Sequence, residues 1–105
     1  MDLTQKQWAE QSANDPNAVI LDVRTPLEWE EGTIPNAVLI DIYRGQGFID
    51  EVSQLDKSKN YYVYCKAGSR SHQACQIMNS LGLMNTFNLT GGFSNWEGPV
   101  EVRER

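Results

Sequence analysis

The sequence predicts an α/β fold: a three-layer α/β/α domain around a central, mainly parallel sheet of about four to five strands. Three observations predict it. Ala18-Val19-Ile20-Leu21, Ala37-Val38-Leu39-Ile40 and Tyr61-Tyr62-Val63-Tyr64 are continuous rather than alternating apolar or aromatic runs, the pattern of strands covered on both faces of a parallel sheet. Helix signals fall between these runs, and alternating strands and helices define the α/β class. No repeat, low-complexity stretch or linker interrupts the 105 residues, so 1–105 reads as a single domain.

Each element has its own signal. Thr4 and Gln7 form a capping box that opens a short helix through Trp8 and Ala9 towards Ser12. Asn14-Asp15-Pro16-Asn17 is a turn. Asp22-Val23-Arg24 closes the first apolar strand, and Thr25-Pro26-Leu27-Glu28 starts a helix with Thr as N-cap, Pro in the first position and Glu in the third. Gly32 ends that helix. Phe48, Ile49, Val52 and Leu55 predict an amphipathic helix over 48–55. The 61–64 strand delivers Cys65. From Ser69, the positions Ala74, Ile77, Met78 and Leu81 mark a helix stopped by Gly82. Thr86-Phe87-Asn88-Leu89 is a last strand, followed by Gly91-Gly92 and a short helix reaching Trp96.

Composition excludes several classes. Fourteen acidic and nine basic side chains give a formal charge of −5, which speaks against nucleic acid or an anionic membrane as partner. Two cysteines are too few for a disulfide framework, and the single His72 offers no zinc cluster. There is neither an apolar leader at the N-terminus nor a run long enough to span a membrane, so a soluble protein of the reducing cytoplasm is expected. The charge is uneven, however. Residues 1–56 hold 11 acids and 3 bases, whereas 57–96 hold Lys57, Lys59, Lys66 and Arg70 and no acid. The positive stretch contains the most informative loop, and a small anion remains an admissible substrate.

That loop is Cys65-Lys66-Ala67-Gly68-Ser69-Arg70-Ser71, set between a strand and a helix. Sites in open α/β sheets lie beyond the carboxyl ends of the strands. A tight strand-to-helix turn directs several backbone N–H groups into one concavity, and the helix N-terminus adds partial positive charge. Gly68 supplies the bend. Lys66, Arg70 and the helix N-terminus beside Cys65 all favour thiolate, so the sulfur is expected to be reactive with a depressed pKa. Arg70 carries a planar fork for an oxyanion, and Lys66 adds charge at the rim. The tyrosine-phosphatase pattern places five residues between Cys and Arg; here four intervene. The smaller amide ring suits one extra sulfur on Cys65 better than a tetrahedral phosphate, and 57–96 supplies no acid to protonate a leaving oxygen.

With this loop, the order of motifs resembles a single-domain rhodanese. Asp22-Val23-Arg24, Glu28-Trp29 and Gly32-Thr33-Ile34 resemble the family's first signature, Cys65 through Ser71 its active loop, and Gly91-Gly92 with Trp96 its closing motif. Thr33 stands where family members often carry His, and Asn36 where Gly is common. The resemblance implies a thiosulfate sulfurtransferase. Cys65 would attack the outer sulfur of thiosulfate or another small sulfane-sulfur donor, release sulfite and hold a persulfide. Cyanide or a thiol, including a protein thiol, would then accept the sulfur. The amides of Lys66, Ala67, Gly68, Ser69 and Arg70 would bind the anion. No metal or cofactor is implied. A sulfur-carrier or protein-interaction module of the same family is the alternative.

Other residues read as structural. Cys75 shares a helix face with Ala74 and Met78 and packs, which leaves a disulfide switch with Cys65 disfavoured. Asp22, Arg24 and Glu28 fix loops by hydrogen bonding, Trp8, Trp29 and Trp96 pack, and His72 is expected at an exposed position.

Overall fold

The computed structural model describes residues 1–102, in the order β1 (Asp2–Leu3), α1 (Gln5–Ala13), β2 (Ala18–Asp22), α2 (Pro26–Trp29), β3 (Val38–Leu39), α3 (Gln46–Ser53), β4 (Asn60–Tyr64), α4 (Ser69–Ser80) and β5 (Thr86–Leu89). Short 3₁₀ turns occupy Ile42–Arg44 and Phe93–Asn95. The strands form one sheet in the order β1-β5-β4-β2-β3, every neighbour parallel.

The period of two along β4 divides the core between the sheet's faces. Tyr61, Val63 and Cys65 join Leu21, Val23, Phe48 and Val52 with Ala74, Cys75 and Met78 of α4. Tyr62 and Tyr64 face the other way, onto Leu3, Trp8, Ile34 and Leu89. Helices α3 and α4 cover the first face and α1 the second, giving three layers. Trp8 anchors the second: its Nε1–H donates to the Phe87 carbonyl at 3.1 Å, and its ring meets Tyr62, Tyr64 and Trp96 edge-on. A fully buried side chain of this size contributes about 3 kcal/mol or more.

Several elements differ from the sequence expectation. Strand β1 was not predicted, since two residues carry no periodicity; tertiary pairing of Asp2 with Asn88 and Leu3 with Leu89 makes it. Strand β3 is an edge, and Val38 is exposed rather than buried. Helix α3 spans Gln46–Ser53 rather than 48–55, because Gly45, at φ 59°, turns the chain out of the preceding 3₁₀ turn. Thr33 is buried and pairs antiparallel with Glu101 through two 2.8 Å backbone bonds. Asn36 has φ 67°. That conformation favours Gly and is tolerated by Asn, which accounts for Asn36 standing where Gly is common in the resembling family. No helix of the described residues is long and apolar enough to cross a membrane.

The chain leaves β2 towards β3 on one side and leaves β4 towards β5 on the other. The topological switch therefore lies between the carboxyl ends of β2 and β4, where a ligand crevice forms in such sheets. Asp22 to Glu28 follow one strand and Cys65 to Ser71 the other.

Candidate active site

Cys65 leaves β4 fully buried, and Ala67, Gly68 and Ser71 of the following loop and helix turn close on its sulfur. Gly68 sits at φ 104°, a left-handed position that lets the chain reverse into α4, and it caps that helix without any side-chain bond to the first-turn amides. The loop's carbonyls are tied from behind. Phe93 N–H donates to the Cys65 carbonyl and Ser94 N–H to the Lys66 carbonyl, both at 2.9 Å. Gly92 permits this approach: a Cβ there would lie 2.4 Å from the Lys66 oxygen.

With the carbonyls held outward, the amides face inward. Gly68 N–H donates to Cys65 Sγ at 3.0 Å, and the Ser71 hydroxyl lies 3.3 Å from the same atom. Burial pushes the Cys65 thiol up. Hydrogen bonds from the Ser71 hydroxyl and from the Ser71, Gly68 and Ala67 amides outweigh it and hold the thiol below its ordinary value. The depressed thiol was expected, and of the three influences expected to favour it the loop and helix-N-terminal amides, joined by the Ser71 hydroxyl, lead over the Lys66 and Arg70 charges.

Ser71 is itself positioned by β5. Its hydroxyl also lies within hydrogen-bond distance of Asn88 Oδ1 and 3.2 Å from the Gly68 carbonyl, and its one proton goes either to Asn88 or to the Cys65 thiolate. Asn88 Nδ2 donates to the Gly68 carbonyl at 3.1 Å and to Asp2 Oδ1 at 3.0 Å. Those two acceptors fix which end of the amide is nitrogen. His72 is exposed, as expected, with Nδ1 3.3 Å from the Asp2 carboxylate. A shallow recess of about 230 Å³ opens here beside Ala67, Gly68 and Thr90. A larger one, about 530 Å³ and lined by Trp8, Ile20, Ile34 and Trp96, lies on the other face of the sheet and holds no cysteine.

On the β2 side, Arg70 reaches across the switch point. Its Nη1 and Nη2 donate to the two Glu28 carboxylate oxygens at 2.6 and 2.8 Å, and its guanidinium lies over the Tyr43 ring at 5.5 Å. Glu28 also completes the α2 capping box, accepting from Thr25 N–H and Oγ1–H at 3.1 Å each. The Arg70 guanidinium, with the Thr25 bonds, holds the Glu28 carboxyl down from 4.5 to about 2. The expected free fork of Arg70 is thus engaged by an acid from the first half of the chain, and the loop's positive charge is partly cancelled. Lys66, Ala67 and Ser69 are exposed around the mouth, and Gly68 is buried.

The neighbouring acid–base pair is sealed. Arg24 and Asp22 are both fully buried, joined at 2.7 Å, with Arg24 also donating to the Gly32 carbonyl and lying over Phe93 at 4.4 Å. Their expected structural role agrees with this geometry. Cys65, Gly68 and Arg70 come together at the switch point as expected. Sequence reading overlooked Ser71 and Asn88 as contributors to the site and gave Glu28 only its capping role. Ser71, in the first turn of α4, was the one with a local signal.

A buried, hydrogen-bonded thiol at the carboxyl end of a central parallel strand, cradled by the first turn of a helix, defines a cysteine-loop α/β protein suited to binding a small anionic group on sulfur. The chain belongs to the rhodanese-like sulfurtransferase family: the model described as "Rhodanese-like domain" matches residues 5–99. It is 27% identical over 95 residues to a sulfurtransferase of Allochromatium vinosum, covering 90% of this chain and 86% of that protein. It is 36% identical over 89 residues to YtwF of Bacillus subtilis, named provisionally as a sulfurtransferase, covering 85% and 82%. A tRNA uridine(34) hydroxylase of Pelagibacter ubique shares 28% identity over 99 residues, 94% of this chain and 33% of that protein. A rhodanese-like domain protein of Staphylococcus aureus superposes with a TM-score of 0.83 at 28% identity, covering 98% of each chain.

Proposed function

We propose that this chain, acting as one domain over residues 1–105, moves the sulfane sulfur of thiosulfate or another small donor through a persulfide on Cys65 to cyanide or a thiol. The Cys65 thiolate attacks the outer sulfur. A new S–S bond forms, the bond to the sulfonate sulfur breaks, and its electron pair leaves with sulfite. Cyanide then attacks the outer sulfur of the persulfide, thiocyanate departs, and the electron pair of the broken bond regenerates the thiolate. No metal, cofactor or external redox partner enters either step.

The observation that carries the reading is the set of donors on Cys65 Sγ from Ala67, Gly68 and Ser71. They favour the thiolate nucleophile, and the unfilled first turn of α4 offers amides of Ser69 and Arg70 to a second anionic sulfur. Lys66 adds charge at the rim. A cytoplasmic location is part of the same proposal. A second reading, a carrier passing persulfide sulfur between proteins, is favoured by Tyr43, which is exposed and lies against Arg70 at the mouth.

Intact mass spectrometry after incubation with thiosulfate tests the chemistry. The wild type and Cys75→Ser gain the mass of one sulfur atom, and Cys65→Ser gains none. Sulfur on Cys65→Ser, or none on the wild type, overturns the assignment. Fast thiocyanate release marks the enzyme; slow release with fast delivery to a protein thiol marks the carrier.

A further inference from the structure

The cation best placed to bind an anionic donor is already occupied. Both Arg70 nitrogens that form the fork lie on Glu28, and the pair is mostly enclosed, with 18% and 17% of the two side chains exposed. Glu28 cannot readily swing away, because the same carboxylate closes the capping box on Thr25 N–H and Oγ1–H. Tyr43 covers the guanidinium. For a sulfonate to use Arg70, Glu28 would be left half-desolvated and unpaired beside an incoming dianion, so one ion pair is exchanged for another at the cost of a like-charge contact. Lys66, the other cation of the loop, is exposed and has no ion pair among the described residues. A strongly hydrated ammonium in that position contributes little binding energy.

A sulfur donor carried on a thiol meets none of these obstacles. It needs an approach to Cys65 Sγ and to the loop amides, and it brings no sulfonate to be paired. Tyr43, against Arg70, is largely exposed, at 69%. It gives the rim an apolar surface that a hydrated dianion does not use and the body of a thiol carrier can cover.

Taking sulfur transfer through Cys65 as its premise, we propose that Glu28 is a specificity-determining residue: by holding the Arg70 guanidinium it disfavours small dianionic donors such as thiosulfate and reserves the loop for sulfane sulfur presented on a thiol. In the favoured loading step the Cys65 thiolate attacks the terminal sulfur of a hydropersulfide. The new S–S bond forms on Cys65, the donor's S–S bond breaks, and the electron pair leaves with the donor thiolate, which takes up a proton from water. Glu28 acts through Arg70 and is a positioning residue, not a catalytic one. Its carboxyl, held at about 2, is charged throughout the working pH range, so the effect is permanent rather than pH-switched.

The test is Glu28→Gln, which keeps the capping box, since Gln serves at that position as Glu does. Loading of Cys65 is followed by mass against donor concentration, once with thiosulfate and once with the hydropersulfide of 2-mercaptoethanol. Each rate is divided by the iodoacetamide alkylation rate at the same pH, which cancels any change in thiolate fraction. In Glu28→Gln the half-saturating thiosulfate concentration falls roughly tenfold, the scale set by freeing one charged hydrogen-bonding partner, while maximal loading and the hydropersulfide rate stay within about twofold. An unchanged thiosulfate dependence, or an equal change with both donors, overturns the role of Glu28 and leaves sulfur transfer standing. If neither donor places sulfur on wild-type Cys65, the premise falls and the proposal with it.

Discussion

Cys65 and Cys75 lie in the same hydrophobic core, on the same face of the sheet, and both are buried. Their thiols move in opposite directions. Burial pushes the Cys75 thiol up, opposed mainly by a hydrogen bond with Thr86. Burial also pushes Cys65 up, yet donors from Ala67, Gly68 and Ser71 bring it below its ordinary value. The difference lies in backbone direction. Cys75 sits in the middle of α4, where the backbone N–H groups are engaged along the helix. Cys65 sits ahead of the first turn, where they are not. Burial therefore does not separate a reactive thiol from a packed one; the supply of free donors does.

The sharpest way to break this contrast is to remove one donor. Ser71→Ala deletes the hydroxyl 3.3 Å from Cys65 Sγ and keeps the Gly68 and Ala67 amides. A lost hydrogen bond to a charged acceptor is worth about 1.5 kcal/mol, so alkylation of Cys65 at neutral pH slows roughly tenfold. The sign follows from the thiolate. With less stabilisation of the charged form the thiol pKa rises, and the pH–rate curve for iodoacetamide moves to higher pH. An unmoved curve would show that the amides alone suffice and that Ser71 serves only to fasten the loop to Asn88.

Ser71 also marks the boundary of what the sequence made legible. The loop from Cys65 to Arg70 could be read because its chemistry is local: a strand that ends, a Gly, and a helix that begins. Asn88 and Asp2 meet Ser71 and His72 because β5 pairs with both β4 and β1, and nothing in the chain near residue 71 encodes that adjacency. Glu28 was legible as a cap and not as Arg70's partner, since its second role depends on β2 lying beside β4. The acid-free stretch 57–96 consequently suggested more free positive charge than folding leaves. Parallel strands bring their carboxyl ends to one edge whatever their order in sequence, so a site there is assembled from segments that sequence reading treats separately.

A smaller effect tests the other cysteine. Cys75→Ala removes a sulfur packed in the core cluster that includes Ala74, Met78 and Leu83, and a small core truncation of this kind costs about 1 kcal/mol. Chemical denaturation should show that loss with an unchanged denaturant slope, while sulfur loading on Cys65 stays at the wild-type rate. In the native wild type one thiol should react quickly with a disulfide reagent and the second only on unfolding. Two fast thiols would erase the contrast.

The smallest expected effect decides between cations and amides as the source of the Cys65 thiolate. Lys66 follows Cys65 directly in the chain, and sequence proximity alone would give it a large share. In the fold it is exposed, and the leading influences on the Cys65 thiol are burial and hydrogen bonds from residues 67–71. An ammonium in water interacts through a high dielectric and is screened by salt, whereas an amide aimed at a buried sulfur is not. Lys66→Ala should therefore leave the alkylation pH profile in place at moderate salt and alter thiosulfate loading only at low ionic strength, where an exposed charge still steers a dianion. A profile displaced as far as that of Ser71→Ala would return the cation to the centre of the site. It would also mean that the inward-facing amides, which most distinguish Cys65 from Cys75, are not what makes its sulfur reactive.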